Sequence, residues 1–259
     1  MRIDKLTPKL IEYGFEDSKS SIHTRRTMML AELRNVMSYV PEDASLDEYR
    51  NSIIEENITR KKSASNRTYT ATYLTTLYSF DQSNLLFHVM RYFWDKDPVA
   101  RPMLAFITVY MRDYLTRSSW EYIRELEIDE ETDKYVLEKL LSDRYGDQFG
   151  EKVCQSVSRN LLATWTKSGH LKGRYHKQRV KPQITPEVIT FALFISYLFG
   201  NHGELLFSHE IVQLLDSSKS ELMGLARAAA YKGYILMNHI GDIIDIKFPS
   251  YLYPREKDQ

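Results

Sequence analysis

SHEIVQLLDSSKSELMGLARAAAYKGYILMNHIGDIIDIKF, residues 208–248, decides how this chain folds. Ser208 opens a short amphipathic helix, His209 to Leu215, and Asp216 and Ser217 make a turn. Ser218 with Glu221 is a capping box: a hydroxyl that accepts from the third helical N–H, and a carboxylate that reaches back. The helix it starts carries Leu222, Leu225, Ala229 and Tyr231 at helical spacing and stops at Gly233. Then the period changes. Ile244 and Ile246 alternate with Asp245 and Lys247, and the turn formers Asn238 and Gly241 sit in the middle, which predicts a β-hairpin. Immediately upstream, Glu187 to Phe199 is apolar nearly all round, as a helix buried on every side is. Helix, short helix, turn, helix and hairpin is the order of a winged helix-turn-helix.

Working outward, helical periodicity dominates the rest of the 259 residues. Helices are expected over Thr24 to Tyr39, from Ser45 (a capping box with Glu48) to about Glu56, over Ser65–Tyr78, and over Asn84–Trp94. Others are expected over Pro98–Leu115, Asp133–Arg144 and Gly150–Ser168. The polar stretch Gly169–Pro186 has few helix formers and suits a short hairpin or an extended arm. The fold class is therefore mainly α: a helical bundle with helix-turn-helix elements and a C-terminal winged-helix-like module carrying a small β-hairpin. Two parts are expected. Residues 1–149 form a helical domain with a helix-turn-helix-like segment at about 46–78, and residues 150–259 form the winged-helix-like domain.

Composition narrows the classes. Hydrophobic residues at 43% and charged residues at 27% describe a folded chain, and the one cysteine, Cys154, excludes a disulfide framework and a thiolate metal cluster. The start, MRIDKLTPKLIEYGFEDSKSS, has no apolar run of the secretory kind, and no stretch reaches the ~18–20 apolar residues of a membrane span, so a cytoplasmic protein with no membrane partner is expected. There is no phosphate-binding Gly-rich loop, no His-x-x-x-His pair and no carboxylate at metal-ligand spacing. Cys154 lies within an expected amphipathic helix, where a buried small hydrophobe suits it better than a nucleophile. Nothing here reads as an enzyme, and no metal or cofactor is expected.

The charge has a pattern. The 35 basic and 35 acidic residues cancel in sum but segregate along the chain. Asn57 to Phe80 has no acid and carries Arg60, Lys61, Lys62 and Arg67. Lys152 to Pro186 has none either, and carries Lys167, Lys172, Arg174, Lys177 and Arg179. An acidic block, Glu121 to Glu151, lies between them. Segregation gives the surface local potential and attracts polyanions even at zero net charge. Arg67, Thr68, Thr70 and Thr72 near a helix start suit phosphate contact, because free N–H groups point the same way; alternatively Ser63, Ser65 and Thr68 only cap that helix. Tyr69 and Tyr175 are placed to flank a phosphate-binding face. On the C-terminal helix, Lys219 and Arg227, with Ser220 and Lys232, are the exposed candidates for a DNA groove, although many winged modules bind protein instead.

Three stretches carry a family resemblance. Ser52-Ile-Ile-Glu-Glu-Asn57 is followed by Arg60-Lys-Lys62, Arg67 and a Thr/Tyr-rich helix. Ser158-Arg-Asn-Leu-Leu162 is followed by Gly169-His-Leu-Lys172. The C-terminal helix-turn-helix ends in Lys232-Gly-Tyr-Ile235. In order and spacing the chain resembles the BrxA family, small components of bacterial BREX phage-defence systems. The resemblance implies a helical accessory factor that binds double-stranded DNA beside other BREX proteins, among them a methyltransferase and an ATPase. It also leaves two alternatives: a protein-interaction adaptor within the defence complex, or a NusB-like RNA-binding antitermination factor. The charge pattern adds the expectation that backbone phosphates are contacted without strong sequence readout, by Arg60, Lys61, Lys62, Arg67, Lys167, Lys172, Arg174, Lys177, Arg179, Lys219 and Arg227.

Overall fold

The computed structural model describes residues 6–16, 20–241 and 243–253. The chain is mainly helical. A short α1 (Pro8–Glu12) and a 3-10 turn (Ile22–Thr24) lead into α2 (Leu30–Tyr39), α3 (Leu46–Ile54) and α4 (Ala64–Tyr78). Then come α5 (Leu85–Trp94), α6 (Arg101–Arg112), α7 (Tyr114–Glu125), α8 (Lys134–Tyr145) and α9 (Glu151–Ser168). A two-residue hairpin, β1 (Leu171–Lys172) with antiparallel β2 (Gln178–Arg179), precedes α10 (Pro186–Leu198). The C-terminal part is a 3-10 turn (Gly203–Ser208), α11 (Glu210–Gln213), α12 (Lys219–Tyr231) and the antiparallel hairpin β3 (Leu236–Ile240) and β4 (Ile243–Lys247). No helix among the described residues is long and apolar enough to cross a membrane.

Local chemistry sets most of these boundaries. Both expected capping boxes form with both of their hydrogen bonds, at Ser45 with Glu48 and at Ser218 with Glu221. Asn84 and Asp133 cap α5 and α8, and Gly169 ends α9 in a left-handed conformation at φ 93°. α10 is buried from Glu187 through Ser196, as its unbroken apolar sequence requires. It packs on α11, α12, α5 and α6 and forms the centre of the C-terminal module.

Four expectations shift. The helix expected from Thr24 begins at Leu30, because Met28 N–H donates to Thr164 Oγ1 on α9 at 3.0 Å and Met29 turns left-handed at φ 51°. The helix expected over Pro98–Leu115 is two helices broken at Asp113, which adopts an extended conformation and caps α7 through Thr116 N–H at 2.9 Å. His209, not Ser208, caps the short α11. Asn238 lies within β3 rather than in the turn, which falls after Ile240.

The division at residue 150 falls between α8 and α9, which pack on each other, and α9 also packs on α6 and α7. One buried hydrophobic cluster runs from Leu10 to Leu252. Within it, aromatic rings stack: Trp165 on Trp120 at 5.5 Å between centroids, and Tyr49 on Phe80 at 4.7 Å.

Candidate nucleic-acid interface

The segment before α2 is held against α9 by a buried polar cluster. Asp113 Oδ2 accepts from the Ser21 hydroxyl and from Ile22 N–H at 3.2 Å. The His23 ring sits between Asp113 (Nδ1 to Oδ2, 3.2 Å) and Thr164 (Nε2 to Oγ1, 2.9 Å), and Asn160 donates its amide to the His23 carbonyl at 2.9 Å. Burial alone would raise the Asp113 carboxyl. The charge and hydrogen bond of His23, with the Ser21 and Thr116 donors, outweigh burial and hold it down to about 2. The cluster fixes where the next residues, Arg25, Arg26 and Thr27, emerge.

Those residues meet the first basic stretch and the end of α9. The exposed Arg26 guanidinium lies 5.5 Å over the Tyr73 ring of α4, and Tyr73 stacks nearly parallel on Tyr69 at 6.0 Å and 12°. Lys167, near the C-terminus of α9, donates to Thr27 Oγ1. Lys61 pairs with Glu32 at 2.8 Å. On its own, burial would raise the Glu32 carboxyl; the hydrogen bond and charge of Lys61, with the charge of Lys167, hold it below its usual range. Burial pushes the Lys167 ammonium down. Lys61 from the first basic stretch and Lys167 from α9 therefore share one carboxylate, Glu32, and Arg26 is held over the neighbouring α4.

The turn between α3 and α4 is built to present charge. Asn57 is left-handed at φ 54°, and its side chain closes on Lys61, accepting from the backbone N–H at 2.7 Å and donating to the carbonyl at 3.0 Å. Arg60 follows at φ 53°. Arg60 and Lys62 are exposed and, among the described residues, make no ion pair. Ser63 caps α4 by accepting from Asn66 N–H at 3.2 Å, so the alternative capping role holds for Ser63. Thr68, Thr70 and Thr72 turn their hydroxyls back to carbonyls four residues earlier. Arg67, half-buried, reaches the Glu55 carbonyl at 3.4 Å.

The second basic stretch is divided. Of its five candidate cations, Lys167 joins this face and the other four lie at the β1–β2 hairpin. In the β1–β2 hairpin the acidic block supplies a neighbouring strand-like segment. Asp129 N–H donates to the Arg179 carbonyl and Arg179 N–H to the Glu130 carbonyl, each at 2.8 Å, and Thr132 N–H donates to the Lys177 carbonyl at 2.7 Å. Lys172 pairs with Asp129 at 2.8 Å and His176 with Glu131 at 2.6 Å. Lys177 folds its ammonium onto the Gly173 and Arg174 carbonyls, and burial pushes it down. Arg174 alone stays outward, over the exposed Tyr175 ring at 5.1 Å.

Arg179 is the clearest correction to the sequence reading. It is 3% exposed, and its guanidinium binds Asp216 at 2.6 Å and the His170 carbonyl at 3.2 Å, so it ties the hairpin to the turn before α12 instead of facing a phosphate. Arg179→Met is expected to cost about 3 kcal/mol of stability, because Asp216 and a buried carbonyl lose their partner. Thermal melts with a DNA titration check this, with the folded fraction binding as before.

On the C-terminal module two of the cations are also paired with carboxylates. Lys219 pairs with Glu204, Lys232 with the buried Glu187 at 2.7 Å, and Arg227 lies 3.3 Å from His239 Nδ1. A groove of about 340 Å³ runs between α12 and the wing, lined by Glu204, Lys219, Ser220, Met223, Arg227 and His239. Among the described residues no group of three His, Cys, Asp or Glu is placed to hold a metal. Cys154 is buried.

The sequence reading missed Arg25, Arg26, Glu32 and Tyr73, while Tyr69, expected to flank a phosphate-binding face, does lie on the outer side of α4. The buried side of that helix is Thr70, Ala71, Leu74, Leu77 and Tyr78, and Tyr69 is 50% exposed. A signal was present: His23-Thr-Arg-Arg-Thr27 holds two arginines and no acid. No protein-family model matches the chain, and no curated protein matches it closely enough to count as a relative.

Proposed function

We propose that this protein is a non-enzymatic DNA-binding accessory factor that grips the duplex backbone through the face made by residues 25–27, the α3–α4 turn and the end of α9. The observation that carries the reading is that Lys61 of the α3–α4 turn and Lys167 of α9 both act on the Glu32 carboxylate, while Lys167 also holds Thr27, next to the exposed Arg25 and Arg26. Backbone phosphates are evenly spaced charges, and such a face neutralises several at once without reading bases. The Thr-rich outer side of α4 presents no carboxylate to repel the strand. Arg26, Tyr73 and Tyr69 form a rigid ledge beside it, because each ring or guanidinium is stacked on the next. The resemblance to the BrxA family supports placing this activity in a cytoplasmic BREX defence system, next to its methyltransferase and ATPase.

The test is a fluorescence-anisotropy titration of a short duplex across a salt series. With about six phosphates neutralised, log affinity should fall with log salt at a slope near −5. A flat response would remove the electrostatic premise.

A further inference from the structure

The wing has an open edge. Gly203–Ser208 packs on β4, and a Cβ at Gly203 would stand 3.1 Å from the Ile244 carbonyl, so the outer edge of β4 is covered. Among the described residues, the backbone of β3 makes no hydrogen bond other than those to β4. An unpaired strand edge is a template for another strand, and proteins usually guard such edges with charge or proline. β3, Leu236-Met-Asn-His-Ile240, has neither.

The side chains on the outer face point to what pairs there. The register sets Ile240 opposite Ile243, Asn238 opposite Asp245 and Leu236 opposite Lys247. Leu236 is 62% exposed, Ile240 78% and Ile243 73%. A second β3, antiparallel about a two-fold axis through Asn238, sets Leu236 opposite Ile240 of the other copy. Each half of the resulting four-stranded sheet then carries an unbroken row: Ile243, Ile240, the other copy's Leu236 and its Lys247. The three exposed apolar residues become neighbours, the uncharged strands bring no like charges together, and Asn238 meets itself at the centre. Cross-strand apolar pairs of this kind are what stabilise a sheet.

The geometry points to a homodimer formed by β3 against β3, joining the two wings into one antiparallel sheet. A five-residue edge buries less than the ~1,200 Å² of a stable standard interface, so the dimer is concentration-dependent.

Sedimentation of the full chain from low to several hundred micromolar is expected to show monomer passing to dimer. Ile240→Lys should hold the protein monomeric with its melting temperature unchanged, since Ile240 packs little in the monomer. For register, Asn238→Cys should form a disulfide-linked dimer rapidly under diamide, which takes up the two electrons and two protons released. Lys247→Cys, on β4, should cross-link far more slowly, and the parent chain, whose cysteine is buried, should not. A monomer at every concentration, a dimer indifferent to Ile240→Lys, or equal cross-linking by the two cysteine variants would each overturn the assignment.

Discussion

Acid is expected to unfold this protein well above the range in which its carboxylates protonate. His170 is fully buried where α9 meets α11. Its Nε2–H donates to the Leu214 carbonyl at 2.7 Å, Nδ1 meets Ser168 Oγ at 2.8 Å, and the ring stands edge-on to Trp165 at 4.9 Å. Burial, with a smaller contribution from Arg179, pushes it down to about 3. His209 accepts from Ile211 N–H at 3.3 Å to cap α11, lies 4.8 Å from the Phe199 ring, and is pushed down by burial to about 4. Both stay neutral when folded, while the unfolded chain protonates them below about 6.5. The unfolded state therefore binds more protons, and stability falls as pH falls from 6.5 toward 4.

Two protons at about 1.4 kcal/mol per pH unit each remove roughly 5 kcal/mol between pH 6.5 and 4.5, the low end of a whole domain's stability. Asp113 does not add to this loss. Its folded value lies below the ordinary carboxylate one, so its stabilisation is intact above about pH 4 and goes only as pH falls toward 2. Urea midpoints at pH 7.5, 6.5, 5.5 and 4.5 should drop steadily. His170→Gln, whose amide can still donate to Leu214, should halve the dependence. Midpoints unchanged from pH 7.5 to 5 would contradict the neutral, buried state of both rings.

Legibility in the sequence followed the range of the interaction. Capping boxes at Ser45 and Ser218, the apolar run of α10 and the alternation at Ile244 and Ile246 are local, and each formed where the residues predicted it. The break at Asp113 was hidden because its carboxylate is satisfied by Ser21 and His23, about ninety positions earlier. The late start of α2 was hidden for the same reason, since Thr164 holds Met28. At the candidate site, the basic run 60–67 was visible as charge, but what lies beside a charge was not. Asp129 neutralises Lys172 from 43 positions away, and Asp216 takes Arg179 from 37. Residues 129–132 of the acidic block that the sequence shows as separate are folded against the hairpin, where Asp129 pairs with Lys172 and Glu131 with His176.

The second large effect follows from that division. Arg26, Arg60 and Lys62 are exposed and, among the described residues, free of carboxylate partners; reversing them to Glu places negative charge at three points of the proposed DNA face. Affinity for duplex DNA should fall by at least about 100-fold at physiological salt, to the same extent for every sequence, and the salt slope should flatten by about 3. The same reversal at Lys172, Arg174 and Lys177 alters one charge already set against Asp129, one folded onto backbone carbonyls and one, Arg174, outward over Tyr175 but apart from the proposed face, and should cost no more than a few-fold. The two triple variants share the same change in net charge, so any difference between them comes from placement. Side-by-side anisotropy titrations of both variants and the parent chain, on one unmodified duplex at one salt concentration, are therefore the most direct measurement. Near-complete loss in the first variant with binding retained in the second is the predicted result; equal loss in both, or loss only in the hairpin variant, would contradict it.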